Sequence, residues 1–509
     1  MKNLFYLCLA IVLCQACQDQ SLQSTSNWGV EYPAKGAYAE EPMNTENYAA
    51  IVENQFTSPQ DQPLSTFSID VDYASYSNTR RFIKNGSLPP VDAVRIEELV
   101  NYFPYHYAEP MAGQPFSVHT ELSPCPWQPE NQLLHIGLKA KEVPMAEVPA
   151  SNLVFLLDVS GSMSSPDKLP LLINSFQLLT NQLRSEDRVA IVVYAGASGV
   201  VLPSTPGNQK DRILAALEGL EAGGSTAGSE GIELAYQIAE EHFIQNGNNR
   251  IILATDGDFN VGVSSEGALR RLIEQKREKG VFLSVLGFGT GNIQDVKMET
   301  LADHGNGQYA YIDDLMEARK FLVTELSSTL LTVAKDVKIQ IEFNPERVGK
   351  YRLIGYENRL LAAEDFNNDQ KDAGEIGAGH TVTALYELMP PGTGSAKVDP
   401  LKYQAKTSTS AAQSGEWGML KLRYKEPQGS TSKLIAEPIT QADWTPQPSE
   451  DLAFSSAVAG FGMLLRKSEH AGNMNYEQVL ALARSGKGED YSGYRAGFIQ
   501  LVELAKELK

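Results

Sequence analysis

The chain has 509 residues, 42% hydrophobic and 21% charged, with a formal net charge of −20. That length exceeds what one core holds, so two to four domains are expected. An acidic surface repels phosphate backbones, and no Lys/Arg run with interleaved aromatics occurs, so nucleic acid is excluded as a partner and divalent cations suit the surface better.

At the N-terminus Lys2 precedes the apolar stretch Leu4–Leu13, which has signal-peptide length and is too short to span a bilayer. It ends in Leu13-Cys14-Gln15-Ala16-Cys17, and polar sequence follows at once. Ala16 before Cys17 resembles a bacterial lipobox, although Cys14 stands where Leu is usual. The resemblance implies a lipoprotein signal peptide over 1–17, lipidation of Cys17, and anchoring in the bacterial cell envelope, at the outer membrane or a periplasm-facing membrane. Cys125 is then left alone, so no intrachain disulfide is expected.

Residues 18–62 are rich in Ser, Asn, Gln, Pro and Glu and read as a flexible tether. An α+β region is expected over 63–148, with a strand at 66–72, a helix at 94–103 stopped by Pro104, and strands at 116–122 and 133–139. Over 149–332 apolar runs of strand length alternate with helical patterns. Strands are expected at 153–157, 188–194, 199–203, 250–254 and 281–287, and helices at 169–183, 210–220, 228–242, 265–279 and 315–331. This alternation predicts a doubly wound, mostly parallel α/β sheet with helices on both faces. Residues 333–440 read as antiparallel β, with strands at 337–343, 351–354, 381–388 and 418–424; residues 441–509 read as helical. Because β segments flank the α/β unit on both sides, the α/β domain is expected either inserted in one antiparallel β-sandwich or flanked by separate β domains.

The chemistry gathers in three loops of that unit. The first buried strand runs into Asp158-Val159-Ser160-Gly161-Ser162, whose alternation puts Asp158, Ser160 and Ser162 on one side at the carboxyl edge of the sheet. Gly223-Gly224-Ser225-Thr226 precedes a helix, and a later strand ends in Thr255-Asp256-Gly257-Asp258. Ligands of open α/β sheets sit at this edge, where strand order reverses. Two carboxylates converging there repel unless a cation lies between them. Oxygen-only donors suit Mg²⁺, Mn²⁺ or Ca²⁺; the seven His are scattered and Cys125 is solitary, which excludes zinc.

Asp158-x-Ser160-x-Ser162, Thr226 and Asp256 resemble the metal-ion-dependent adhesion site of von Willebrand factor A (VWA) domains, and the mature chain is similar to a family of bacterial VWA lipoproteins. The resemblance implies that Ser160, Ser162 and Thr226 coordinate a divalent metal, Mg²⁺ foremost, and that Asp158 and Asp256 hold it directly or through water. It also implies a protein partner that offers the metal an acidic side chain, with the membrane reached through the N-terminal lipid. Adhesion, scaffolding or envelope-complex assembly is the function expected. The alternatives are a metal-dependent hydrolase, or a maturation or stress factor working with an ATPase or metalloenzyme. The three loops contain no His, Glu pair or nucleophile elbow, so an enzyme is not expected. Asp258 reads as a supporting or solvated carboxylate. Asp365–Glu375 echoes a calcium loop but has Gln370 where the turn needs Gly. Ser165-x-x-Lys168 has no partner motif for nucleophilic chemistry. Trp127, Trp417 and Trp444 read as core or interface aromatics.

Overall fold

The computed structural model describes residues 45–69, 72–224, 228–257, 266–393 and 409–509. Its central element is the strand Ser151–Asp158, buried along its whole length. Leu153, Phe155 and Leu157 enter one hydrophobic core and Val154 and Leu156 another, as a strand with helices on both sides requires. It pairs in parallel with Arg188–Tyr194 on one side and Asn248–Thr255 on the other. Val281–Phe288 and Tyr309–Ile312 extend the sheet in parallel, and Ser198–Pro206 closes the opposite edge antiparallel. The chain builds outward to Ser198–Pro206 and then resumes on the far side of the first strand. The reversal therefore lies between Ser151–Asp158 and Asn248–Thr255.

The β segments on either side of this unit close into one sandwich. Leu64–Ser68 pairs with Thr332–Phe343, which also pairs with Gly418–Lys425 and Gly374–Gly377; Lys433–Ile439 completes that sheet. The second sheet sets the hairpin Phe116–Pro124 and Gln132–Ala140 beside Thr381–Met389, with Lys350–Ile354 beyond it. Phe67, Ile339 and Leu420 from one sheet share a core with Leu134, Ile136 and Tyr386 from the other. The α/β domain is thus inserted between strands of a single sandwich, the first of the two expected arrangements. Trp127 and Trp417 are buried and their indole N–H groups donate to Glu387 (3.0 Å) and Gln132 (2.7 Å).

Helices Glu450–Arg466, Tyr476–Ser485 and Tyr494–Glu507 form the C-terminal helical segment. They pack onto two N-terminal helices, Ala74–Lys84 and Ile96–Asn101. Phe103 stands edge-on to both Phe454 and Phe498, with ring centroids 4.9 and 5.5 Å apart. No helix among the described residues is long and apolar enough to cross a membrane.

Several expectations need correction. The tether does not run to residue 62. Glu46 forms a two-point ion pair with Arg81, Asn54 donates to the carbonyls of Leu353 and Gly355, and Thr57 bridges to Tyr351. These polar anchors carry no apolar period, so composition alone misreads residues 45–62. The helix Ala74–Lys84, the helix Asp295–His304 and the strand Tyr309–Ile312 were not expected. The helix expected over 315–331 is broken into Leu315–Arg319 and Leu326–Leu330 by a π-helical turn at Lys320–Thr324, where the buried Lys320 pairs with Glu325. In the Asp365–Glu375 loop, three backbone carbonyls accept from lysine ammonium groups. Lys338 donates to the carbonyls of Asp365 (3.1 Å) and Asn368 (2.6 Å), and Lys425 donates to that of Asp369 (2.6 Å). The signal peptide, Cys17 and the first part of the tether lie outside the described residues.

Burial pushes the imidazoles of His135 and His380 down to about 4, and the charges of Lys320 and Lys139 add to this at His380. Between pH 6.5 and 4 the unfolded chain takes up protons that the folded protein refuses. Stability therefore falls with pH in that window, by about 1.4 kcal/mol per pH unit for each imidazole. In urea denaturation at pH 7, 5.5 and 4.5, His135→Gln is expected to lose stability less steeply than the wild type.

Candidate functional site

The site grows from the place where the central strand runs out of apolar residues. Asp158 ends it and is fully buried. One Asp158 oxygen accepts from the backbone N–H of Ser160 (2.9 Å) and the other from the Thr255 hydroxyl (3.2 Å), so the neighbouring strand fixes the carboxylate. The hydroxyls of Ser160 and Ser162 are 3.0 Å apart. Ser160 is buried, whereas Ser162 is exposed and opens the cluster to solvent.

Asp256, immediately after Asn248–Thr255, is also fully buried. The Ser162 hydroxyl of the first loop helps to hold its carboxyl below the usual value. Gly257 follows with φ +109°, and a Cβ there would overlap the carbonyl of Asn292, so only glycine lets the two loops lie together. The third loop is pinned to the first through backbone: Gly161 N–H donates to Gly224 (3.1 Å) and Gly223 N–H donates to Val159 (2.7 Å). Thr226 and Asp258 lie outside the described residues. Asp158, Ser160, Ser162 and Asp256 are therefore brought together in one polar network at the rim of the sheet.

The network contains a charge that sequence reasoning missed. The ammonium of Lys168, nine-tenths buried, is 2.9 Å from Asp256 and also donates to Asn292 Oδ1 at 3.1 Å. Its stem lies across Gly289, at φ +75°, where a Cβ would overlap the lysine carbons. Ser165, its supposed companion, bonds to Asp167 instead. Position was the usable signal: Lys168 and Asn292 each follow a strand end on the rim where the carboxylates gather.

The two carboxylates are held differently. Burial pushes Asp158 above the usual carboxylate value, and the neighbouring Asp256 charge adds to the shift despite the bonds from Ser160 and Thr255. Burial acts on Asp256 too. There the bonds from Asn292, Lys168 and Ser162, with the lysine charge, outweigh it and hold the group below its usual value. Among the described residues no cluster of three or more His, Cys, Asp or Glu side chains stands ready for a metal. The donor set here is two carboxylates with hydroxyls, which fits a hard cation and not a soft one.

Removing Lys168 strands a buried carboxylate. In chelator-containing buffer, Lys168→Met is expected to destabilise the protein by ~3–5 kcal/mol, and Lys168→Met with Asp256→Asn to recover most of the loss. A double-mutant cycle by denaturant unfolding measures the coupling.

The von Willebrand factor type A domain model matches residues 152–325, a von Willebrand factor model matches 42–135, and a model described as the C-terminal part of the uncharacterized protein YfbK matches 328–508. VWA domains generally mediate protein–protein interaction. Uncharacterized protein YfbK of Escherichia coli (strain K12) is 46% identical over 502 residues, covering 96% of this chain and 86% of that protein. Uncharacterized protein sll0103 of Synechocystis is 31% identical over 319 residues, covering 60% of this chain and 70% of that protein. Among solved structures, the conserved hypothetical protein BatB of Bacteroides thetaiotaomicron matches at 23% identity and a TM-score of 0.31, covering 35% of this chain and 98% of that one. With three regions matched in order and a relative this similar along nearly its whole length, the chain belongs to the YfbK family of VWA-domain proteins.

Proposed function

We propose that this protein is exported, anchored through lipid on Cys17, and captures partner proteins through a divalent cation held by Asp158, Ser160, Ser162, Thr226 and Asp256. The cation is Mg²⁺ in this reading, with Mn²⁺ or Ca²⁺ as substitutes, and the partner supplies an acidic side chain. Adhesion, scaffolding or assembly of cell-envelope complexes is the resulting role.

The observation that carries the reading is the convergence of buried carboxylates and hydroxyls from loops far apart in sequence. Asp158 and Asp256 disfavour each other's charge, and a divalent cation relieves that repulsion. Lys168 already balances part of Asp256, so the donor set offers a cation little net negative charge. A cation so held keeps its attraction for one more carboxylate, and the exposed Ser162 marks the side from which it approaches. Anchoring rests on the N-terminal pattern: a short apolar stretch, then Ala16-Cys17, then polar sequence.

The test is crosslinked capture from envelope fractions, in Mg²⁺ and in EDTA, with the wild type and with Asp158→Ala combined with Ser160→Ala. Partner recovery is expected to fall at least tenfold with chelation and with the double variant, while thermal melting shows that both proteins remain folded. Recovery unchanged under both treatments would overturn the reading.

A further inference from the structure

The strand that delivers Asp256 carries a second ionised residue near its other end. Arg250 is 3% exposed and lines a cavity of about 300 Å³ where the α/β sheet meets the sandwich. Ser68, Gln308, Thr329 and Gly374 share the lining. The Arg250 Nη1–H donates to the Ser284 hydroxyl at 2.7 Å, and the guanidinium carbon sits 5.5 Å from the Phe282 ring centre. Its Nε–H is buried without a hydrogen-bond partner, and no carboxylate among the described residues is within ion-pair distance.

The acids around the cavity are engaged elsewhere. Asp303 takes Arg359 at 2.7 Å, Asp372 takes Arg277 at 2.7 Å, and Glu375 accepts from Asn306. Burial pushes the Arg250 guanidinium down to about 10, with the Glu375 charge working the other way. A second polar group on the wall is in a similar position: His380 bonds to the Tyr73 hydroxyl through Nε2, and its Nδ1 is buried without a partner. A buried guanidinium lacking an anion is costly, and an apolar side chain of similar volume would pack there more stably. The charge is accounted for if an anion enters the cavity.

We propose that this cavity binds a small organic monocarboxylate, held by the free edge of the Arg250 guanidinium with His380 as a further polar contact. The planar fork of guanidinium matches a carboxylate. The cations Arg250, Arg359 and Lys371 on the wall are matched in number by Asp303, Asp372 and Glu375, which leaves no surplus positive charge for a second negative group, and the volume lies at the small end of ligand sites. This site is independent of the proposed metal site, so failure of one leaves the other standing.

Thermal melting and calorimetry of the full chain, titrated with acetate and propionate at constant ionic strength, test it. Chloride and inorganic phosphate serve as controls. Saturable binding with a Kd of order 1 mM is expected, with Tm rising as mass action requires. Arg250→Met is expected to abolish the carboxylate response while melting at or above the wild type in carboxylate-free buffer. Arg250→Lys, which keeps the charge and loses the fork, is expected to weaken binding at least tenfold. No response in the wild type, an equal response to chloride or phosphate, or unchanged affinity in Arg250→Lys would overturn the proposal.

Discussion

An ionised group inside a strand covered on both faces carries a heavy desolvation cost, and this constraint organises the molecule. From Leu153 to Leu157 every side chain of the central strand enters one apolar core or the other. Its first carboxylate therefore appears where the strand ends, at Asp158, and the same rule puts Asp256 just past the end of its neighbour. Parallel pairing aligns those two ends, with Leu157 beside Ala254, so the carboxylates meet because the strands stop together. The chemistry at the rim is a consequence of how the core is covered.

Charge inside this fold is seldom left to water. Lys168 answers Asp256, Arg95 answers Asp295 and Glu98, Arg352 answers Glu387, and Arg495 answers Asp451. Two of these, Arg95–Asp295 and Lys168–Asp256, join segments far apart in sequence. They trade desolvation for fixed geometry, which matters more to a site than net stability does. Against this background Arg250 stands out, because its hydrogen bond goes to a neutral hydroxyl, that of Ser284.

What could be read from sequence followed the strength of the apolar signal. The strands 153–157, 188–194 and 281–287 announce themselves by largely apolar runs, and the first led directly to Asp158, Ser160 and Ser162. Ala74–Lys84 gave no such signal. Its buried face includes Ser75, Ser77, Asn78 and Arg81, and it is held by Tyr76 stacked on Tyr102 and by the Arg81–Glu46 pair. The segment 45–62 was unreadable for a related reason, since its anchors are hydrogen bonds to distant backbone. Lys168 was visible as a residue but not as a partner: its contact with Asp256 spans 88 positions and depends on Gly289 leaving room for the lysine stem.

The inserted arrangement dictates the order in which strand partners become available as the chain is delivered N-terminus first. Phe116–Pro124 and Gln132–Ala140 are synthesised early, yet the strand that covers their open edge, Thr381–Met389, emerges only after the whole α/β unit. Leu64–Ser68 waits similarly for Thr332–Phe343. For that interval the nascent hairpin presents an unpaired edge of the kind that seeds misassembly. The α/β unit, whose strand pairings all lie within residues 151–312, can close first and bring the two halves of the sandwich together. A chain halted before Met389 would leave that hairpin edge uncovered, a natural handle for chaperones and quality-control proteases.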